Sequence, residues 1–272
     1  MSYVTTADGV KLYFKDWGTG RPVVMLHGWP LTSDTFDDLA MALADNGFRA
    51  ISYDRRGFGR SQQPWDGYDY DTLADDLAAV LAHTEAADAT LLGFSMGGGE
   101  IARYLSRHGA AHVKQAILIG SIVPYMLKTA DNPHGTPQAM FDKIGAAIKD
   151  DRAKFWTAFF KGFYGVGPAS QPVSDEVLEW SRDQSMHASL KATLACAAAF
   201  GTTDLRPDLK AFTMPTLIIH GTDDKTVPID ASARAAAAGI PGSTLIEYDG
   251  APHGLLATHK ERLIADVLKF VK

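Results

Sequence analysis

Leu91-Leu92-Gly93-Phe94-Ser95-Met96-Gly97-Gly98-Gly99 is the stretch on which the fold turns. An apolar run, Ala89–Leu92, gives way to Gly93, and a helical pattern, Gly97–Arg107, starts just beyond the serine and is closed by Gly109. The segment reads as strand, sharp turn and helix, with Ser95 on the turn. Bringing strand and helix that close requires little bulk two residues either side of Ser95, which Gly93 and Gly97 provide. Such an elbow holds the hydroxyl away from the backbone as a candidate nucleophile. It also puts the Met96 backbone N–H at a helix start, where the helix dipole favours negative charge.

Outward from the elbow, short runs of Val, Ile and Leu recur with longer helical patterns between them, as in a mostly parallel sheet covered on both faces. Further strands are expected at Lys11–Asp16, Pro22–Leu26, Arg49–Tyr53, Gln115–Ile119, Thr216–His220 and Thr244–Tyr248. Helices are expected at Thr35–Asn46, Thr72–Glu85 and Lys260–Val271. The alternation stops near Ile122 and resumes at Thr216. Between them Gln138–Lys149, Asp151–Phe160, Asp175–Arg182 and Ser185–Phe200 read as helices, and Met186, Leu190, Leu194 and Ala197 keep the spacing of one amphipathic face. The expected architecture is α/β: a doubly wound, mostly parallel sheet built from residues 1–122 and 212–272, with residues 123–211 inserted as a helical cap.

The 272 residues suit one such domain with an insertion. Lys and Arg number 26 against 32 Asp and Glu, a net charge of −6 without basic clusters, which argues against nucleic acid and an anionic membrane surface as partners. One cysteine, Cys196 in an alanine-rich run, allows no internal disulfide and reads as a small buried residue. Residues 1–8 lack the basic and apolar regions of a secretion signal. The longest apolar stretch, Ala116 to Leu127, is broken by Gly120, Ser121 and Pro124 and is too short for a membrane span, so a soluble cytoplasmic protein is expected.

A serine hydroxyl needs a base and a group that orients the base. After the Thr216–His220 strand comes Gly221-Thr222-Asp223-Asp224-Lys225-Thr226-Val227-Pro228, and after Thr244–Tyr248 comes Gly250-Ala251-Pro252-His253-Gly254. The chain order Ser, Asp, His is the one that accompanies an elbow serine. Spacing within the first loop selects Asp224 as partner of His253, with Asp223 left in solvent or capping the loop; whether Asp223 also contributes stays open. His27, His83, His108, His112, His134, His187, His220 and His259 read as ordinary surface histidines. His108 and His112 are interrupted by Gly109 and have no carboxylate motif, so no metal site is expected there. In Leu26-His27-Gly28-Trp29-Pro30 the Trp29 N–H is the candidate second donor to an oxyanion, because Pro30 has no N–H, and Pro30 stiffens the same loop. The charged loop Asp54 to Ser61 lacks a full phosphate-loop spacing and reads as structural, with its charges paired internally.

Taken together these segments resemble the α/β-hydrolases, and within them the bacterial aryl esterases and cofactor-free haloperoxidases, or perhydrolases. The likeness extends over Phe14 to Gly18, His27 to Pro30, Asp54 to Ser61, Gly93 to Gly99, Ala102-Arg103-Tyr104, Phe163-Tyr164-Gly165 and Ala251 to Gly254. It implies Ser95 as nucleophile, His253 as general base, Asp224 as its partner and the Trp29 and Met96 amides as oxyanion hole. It also implies a substrate tunnel under the cap, no cofactor, a cytoplasmic location and a homo-oligomer, often a trimer or hexamer. Trp-Pro at 29–30 is typical of the perhydrolases among these relatives.

The activity expected is hydrolysis of small carboxylic esters, aryl esters among them, through an acyl-enzyme on Ser95. Alternatives are peracid formation with hydrogen peroxide, γ-lactam hydrolysis on the same three residues, and a non-catalytic ligand-binding protein on the same fold. Pro30, Phe94, Ile122, Met126, Phe159, Phe163 and Val227, with Trp29, are candidates for the substrate pocket and equally for the core. The physiological substrate and enantiopreference are not fixed by these residues.

Overall fold

The structure is a computed structural model that describes residues 2–272. The strands are β1 (Ser2–Thr5), β2 (Lys11–Gly18), β3 (Arg21–Leu26), β4 (Phe48–Tyr53), β5 (Ala89–Phe94), β6 (Val113–Ile119), β7 (Thr216–Gly221) and β8 (Thr244–Tyr248). They form one sheet in the order β1-β2-β4-β3-β5-β6-β7-β8. The β1–β2 and β2–β4 pairings are antiparallel, and the rest of the sheet is parallel. Every residue of β5 and β7 is buried, which is why both read as unbroken apolar runs rather than alternating ones. β1 was not expected from the sequence. It is a short edge strand that buries Val4 alone and pairs through Ser2↔Phe14 to Thr5↔Lys11, so it carries too little apolar pattern to be seen.

Helices flank the sheet. α1 (Asp37–Asp45) follows a 3-10 turn at Ser33–Phe36, so the expected Thr35–Asn46 helix starts later than its sequence pattern. α2 (Tyr70–His83) begins at Asp69, whose carboxylate accepts the Thr72 N–H at 3.0 Å. α3 (Met96–His108) runs from the elbow to Gly109, which stops it at φ 81°. Near the C-terminus lie α7 (Ala233–Gly239), the short α8 (Leu255–Thr258) and α9 (Lys260–Val271), the last with the limits expected.

Between β6 and β7 lie α4 (Gln138–Tyr164), α5 (Asp175–Met186) and α6 (Leu190–Thr202). α4 breaks at Asp151 (φ −150°, ψ 89°), whose carboxylate accepts the Lys154 N–H at 2.9 Å and so caps the second half. The sequence pattern correctly divides the helix there but stops it at Phe160, one turn short. The expected Ser185–Phe200 helix is incorrect at its start. Ser185 and Met186 end α5, and α6 begins after Ser189, whose hydroxyl accepts the Ala192 N–H at 2.9 Å. The stripe Met186, Leu190, Leu194, Ala197 therefore spans two helices, and Leu190 is 45% exposed. The face of α6 that is buried holds Ala192, Thr193, Cys196 and Ala197, small side chains that let the helix lie close to Trp29, whose indole N–H donates to the Thr193 carbonyl at 3.0 Å. No helix among the described residues is long and apolar enough to cross a membrane.

Candidate active site

The loops that leave β3, β5, β6, β7 and β8 at their C-terminal ends carry Trp29, Ser95, Ile122, Asp224 and His253, the edge where open α/β sheets place their ligands. Ser95 sits at φ 53°, ψ −117°. A non-glycine residue at positive φ costs on the order of 1–3 kcal/mol and persists only where its surroundings hold it. Here the Ser95 N–H donates to the Ile119 carbonyl at 2.8 Å, and its carbonyl accepts from Gly98 at 3.1 Å and Ile122 at 3.3 Å. The close approach also explains the glycines. A Cβ on Gly93 would stand 2.5 Å from the Gly98 nitrogen, and one on Gly97 would stand 2.2 Å from the Leu26 carbonyl oxygen.

The three residues singled out in the sequence meet. His253 Nε2 lies 3.1 Å from Ser95 Oγ, and His253 Nδ1 lies 2.6 Å from Asp224 Oδ2. Since a carboxylate only accepts, Nδ1 carries the proton and Nε2 is left to accept the Ser95 O–H. Asp224 is buried, and its other oxygen accepts the Thr226 and Val227 N–H groups at 2.8 Å each. Burial pushes its carboxyl up, but the attraction of His253 and hydrogen bonds from His220 and His253 outweigh this and hold it well below the usual carboxylate range. Asp223 points outward and pairs with Lys225 on the surface. The His253 ring is fixed by Phe94, at 5.1 Å between centroids, and by the edge-on Phe163 at 4.8 Å. The adjacent Gly254 N–H donates to the Phe163 carbonyl at 2.9 Å, which ties the His253 loop to the end of α4.

Gly28 runs so close to the elbow that a Cβ there would stand 2.9 Å from the Ser95 Cβ, which brings the Trp29 peptide beside the serine. The backbone N–H groups of Trp29 and Met96, both buried, take no acceptor from the protein among the described residues. Buried amides are nearly always paired, so two free ones beside one hydroxyl are ready donors for an oxygen anion.

The pocket candidates divide. Trp29 packs on Trp156 (5.0 Å), Phe159 (5.6 Å) and Phe200 (5.3 Å), and Phe159 leads on to Phe163 at 5.7 Å. This aromatic run reaches from the Trp29 loop to the His253 ring. Phe94 and Phe163 also line a cleft of about 280 Å3 with Leu31, Val177 and Leu256 and the charged Asp34 and Lys260. Pro30, Ile122, Met126 and Val227 are buried; Ile122 and Val227 touch the site through their backbone amides, on Ser95 and Asp224 respectively.

Two histidines read from the sequence as surface residues are instead fully enclosed. His27 Nε2 accepts the Arg55 backbone N–H at 2.9 Å, and its Nδ1 donates to the Gly28 carbonyl at 2.9 Å. His220 stands beside Asp224, with Nε2 at 3.2 Å from Oδ2. The charges of the Asp54 to Ser61 loop, read as paired internally, are so only for Asp54 with Arg60; Arg56 pairs outside the loop with Asp8 and Asp76, and Arg55 goes further. It spans to Glu100 on α3 and donates to the His27 carbonyl at 2.5 Å, fastening the Trp29 loop to the elbow helix. Only the four-residue spacing of His220 and Asp224 could have signalled any of these from sequence.

A buried serine, histidine and aspartate hydrogen-bonded in that order, at the carboxyl ends of a mostly parallel sheet, define a class. The chain belongs to the α/β hydrolase fold family, whose family model matches residues 21–260. Within that family it is 43% identical to a non-heme chloroperoxidase of Kitasatospora aureofaciens, over 100% of this chain and 99% of that one. It is 41% identical to a bifunctional esterase/perhydrolase of Acinetobacter calcoaceticus over the full length of both. The solved bromoperoxidase of Bacillus anthracis superposes with a TM-score of 0.96 at 41% identity, covering 99% of each chain.

Proposed function

We propose that this protein hydrolyses small carboxylic esters, aryl esters among them, through an acyl-enzyme on Ser95, and that hydrogen peroxide competes with water for the acyl group. The observation that carries the reading is the continuous hydrogen-bonded line Ser95–His253–Asp224 at 3.1 and 2.6 Å. Ser95 Oγ attacks the ester carbonyl carbon while its proton passes to His253 Nε2. The carbonyl oxygen, now an anion, is received by the Trp29 and Met96 amides. Collapse breaks the ester bond, and the alcohol leaves with the proton held by His253. Water then attacks the acyl group, giving its proton to His253 and releasing the acid. Asp224 keeps the imidazole in the required tautomer and stabilises its cation in both halves.

Replacing water by hydrogen peroxide in the second half gives a peracid with no other change in the cycle. This second reading is favoured by Pro30 on the Trp29 loop and by full-length relatives described as non-heme chloroperoxidase and esterase/perhydrolase. The aromatic run from Trp29 to Phe163 suits a short acyl group and an aryl or small alicyclic alcohol. The test is a partition experiment: phenyl acetate is supplied with increasing peroxide, and phenol, acetate and peracetic acid are quantified together. Phenol release lost in Ser95→Ala is expected, with peracid rising at the expense of acetate. Pro30→Leu should lower the peracid-to-acetate ratio. Phenol release undiminished in Ser95→Ala would overturn the reading, and an unchanged ratio in Pro30→Leu would remove the proline from it.

A further inference from the structure

His220, the penultimate residue of β7, lies outside the hydrogen-bonded line just described, yet it touches the line's far end. Its side chain is completely buried. Nε2 lies 2.9 Å from the Val227 carbonyl oxygen and 3.2 Å from Asp224 Oδ2, while Nδ1 has no partner among the described residues. Both neighbours of Nε2 are acceptors, so Nε2 carries the proton; Nδ1 is bare, because a buried N–H without an acceptor costs more than a bare ring nitrogen.

The Val227 peptide is then held from both sides. Its N–H donates to Asp224 Oδ1 at 2.8 Å, and its carbonyl accepts from His220. Each contact constrains the next: the rigid strand β7 places His220, His220 places the Val227 peptide, the peptide places the Asp224 carboxylate, and Asp224 places His253. Asp224 stands on a loop, and the Thr226 and Val227 amides that aim its Oδ1 belong to the same loop, so the His220 bond to the Val227 carbonyl ties them to the strand β7. The positive end of the His220 N–H also faces Oδ2, the oxygen that receives His253, and tempers its strength as an acceptor. The other charged groups nearby are directed elsewhere. Glu247, the register neighbour of His220 on β8, is engaged by Arg234, and Asp223 and Lys225 pair with each other at the surface.

We propose that His220 is a positioning residue for the reaction of Ser95: through Val227 and Asp224 it sets the orientation and the basicity of His253. The inference rests on the hydrolase reading of the Ser95 site. It implies that a donor at the Nε2 position is what matters, not ring volume alone.

The experiment compares His220→Phe, which keeps a ring but removes the donor, with His220→Gln, which restores an N–H near the Nε2 position. Phenyl acetate hydrolysis is followed from pH 5 to 9. His220→Phe is expected to lower kcat about tenfold with KM nearly unchanged. With Asp224 a stronger acceptor, its kcat/KM should begin to fall at a pH about half a unit higher as the solution is acidified. His220→Gln should return both towards wild type. Equal losses in the two variants with an unmoved pH profile would mean a packing role and overturn the proposal. A second readout needs neither activity nor a variant: nitrogen NMR of histidine-labelled wild-type protein should show His220 protonated on Nε2 and bare on Nδ1 at pH 7. The opposite tautomer would overturn the proposal even if the protein proved inactive on esters, whereas inactivity with the expected tautomer would count against the ester reading alone.

Discussion

Lowering the pH should loosen this protein through His27, and the size of the effect follows from its surroundings. Burial is the main cause that drives the His27 pKa from 6.5 to about 3, and the nearby Arg55 guanidinium adds to it; the bond to Gly28 and the charge of Asp54 only partly oppose them. Geometry agrees, since protonating Nε2 would break its bond from the Arg55 N–H and put a cation 3.3 Å from Arg55 Nη1. The unfolded chain takes up a proton below about pH 6.5 and the folded chain does not, so unfolding binds a proton and stability falls as the pH falls. The contribution is intact above 6.5 and is lost progressively down to about 3. Between pH 7 and pH 5 the loss is about 2 kcal/mol from this one side chain, and by pH 4 about 3 kcal/mol. The assay is urea unfolding at pH 7 and pH 5 of the wild type and of His27→Gln, whose amide oxygen can still accept the Arg55 N–H but does not titrate. The variant should lose about 2 kcal/mol less than the wild type on acidification. An equal loss in both proteins would refute the reasoning. Because His27 lies two residues before Trp29, the same acidification should release the loop that offers the Trp29 amide to substrate.

Glu100→Gln leaves the Arg55 guanidinium buried beside a neutral amide, and both side chains of the present pair are only 1% exposed. A loss of about 3 kcal/mol in urea unfolding is expected, and a change under 1 kcal/mol would show that the pair does not fasten the elbow helix. Gly97→Ala puts a methyl 2.2 Å from the Leu26 carbonyl oxygen on a central strand, so the variant should fail to accumulate as folded protein; a normal near-ultraviolet circular dichroism spectrum would contradict this. Gly145→Ala, inside α4 with open space around the new methyl, should instead stabilise by about 0.5–1 kcal/mol in the same unfolding assay, and a destabilised variant would refute that.

The differences between the sequence pattern and the structure have physical causes. The central strands β3, β5 and β7 were legible because burial leaves nearly unbroken apolar runs, the half-exposed edge strand β8 because Thr244–Tyr248 is rich in β-forming residues, and Ser95, Asp224 and His253 because each sits on a loop whose glycine and proline neighbours mark a strand end. β1 was not, since an exposed edge strand needs backbone pairing rather than apolar side chains. The α5–α6 boundary escaped because Ser189 reads as one more polar residue in a helical pattern until its hydroxyl is seen to cap α6. The Arg55–Glu100 pair is 45 residues apart in the chain, so no local periodicity announces it. His27 and His220 were mistaken for surface residues because a polar ring beside a glycine usually lies in a turn, whereas here the folded sheet edge closes over both.

The central claim is that Ser95 carries the acyl group. Rapid-quench mass spectrometry of the wild-type protein mixed with phenyl acetate tests it most directly. One acetyl group should appear on the peptide that contains Ser95, form within the first turnover, persist longer when His253 is replaced by glutamine, and be absent from Ser95→Ala. Acetylation confined to another residue, or phenol released at the wild-type rate by Ser95→Ala, would contradict the account.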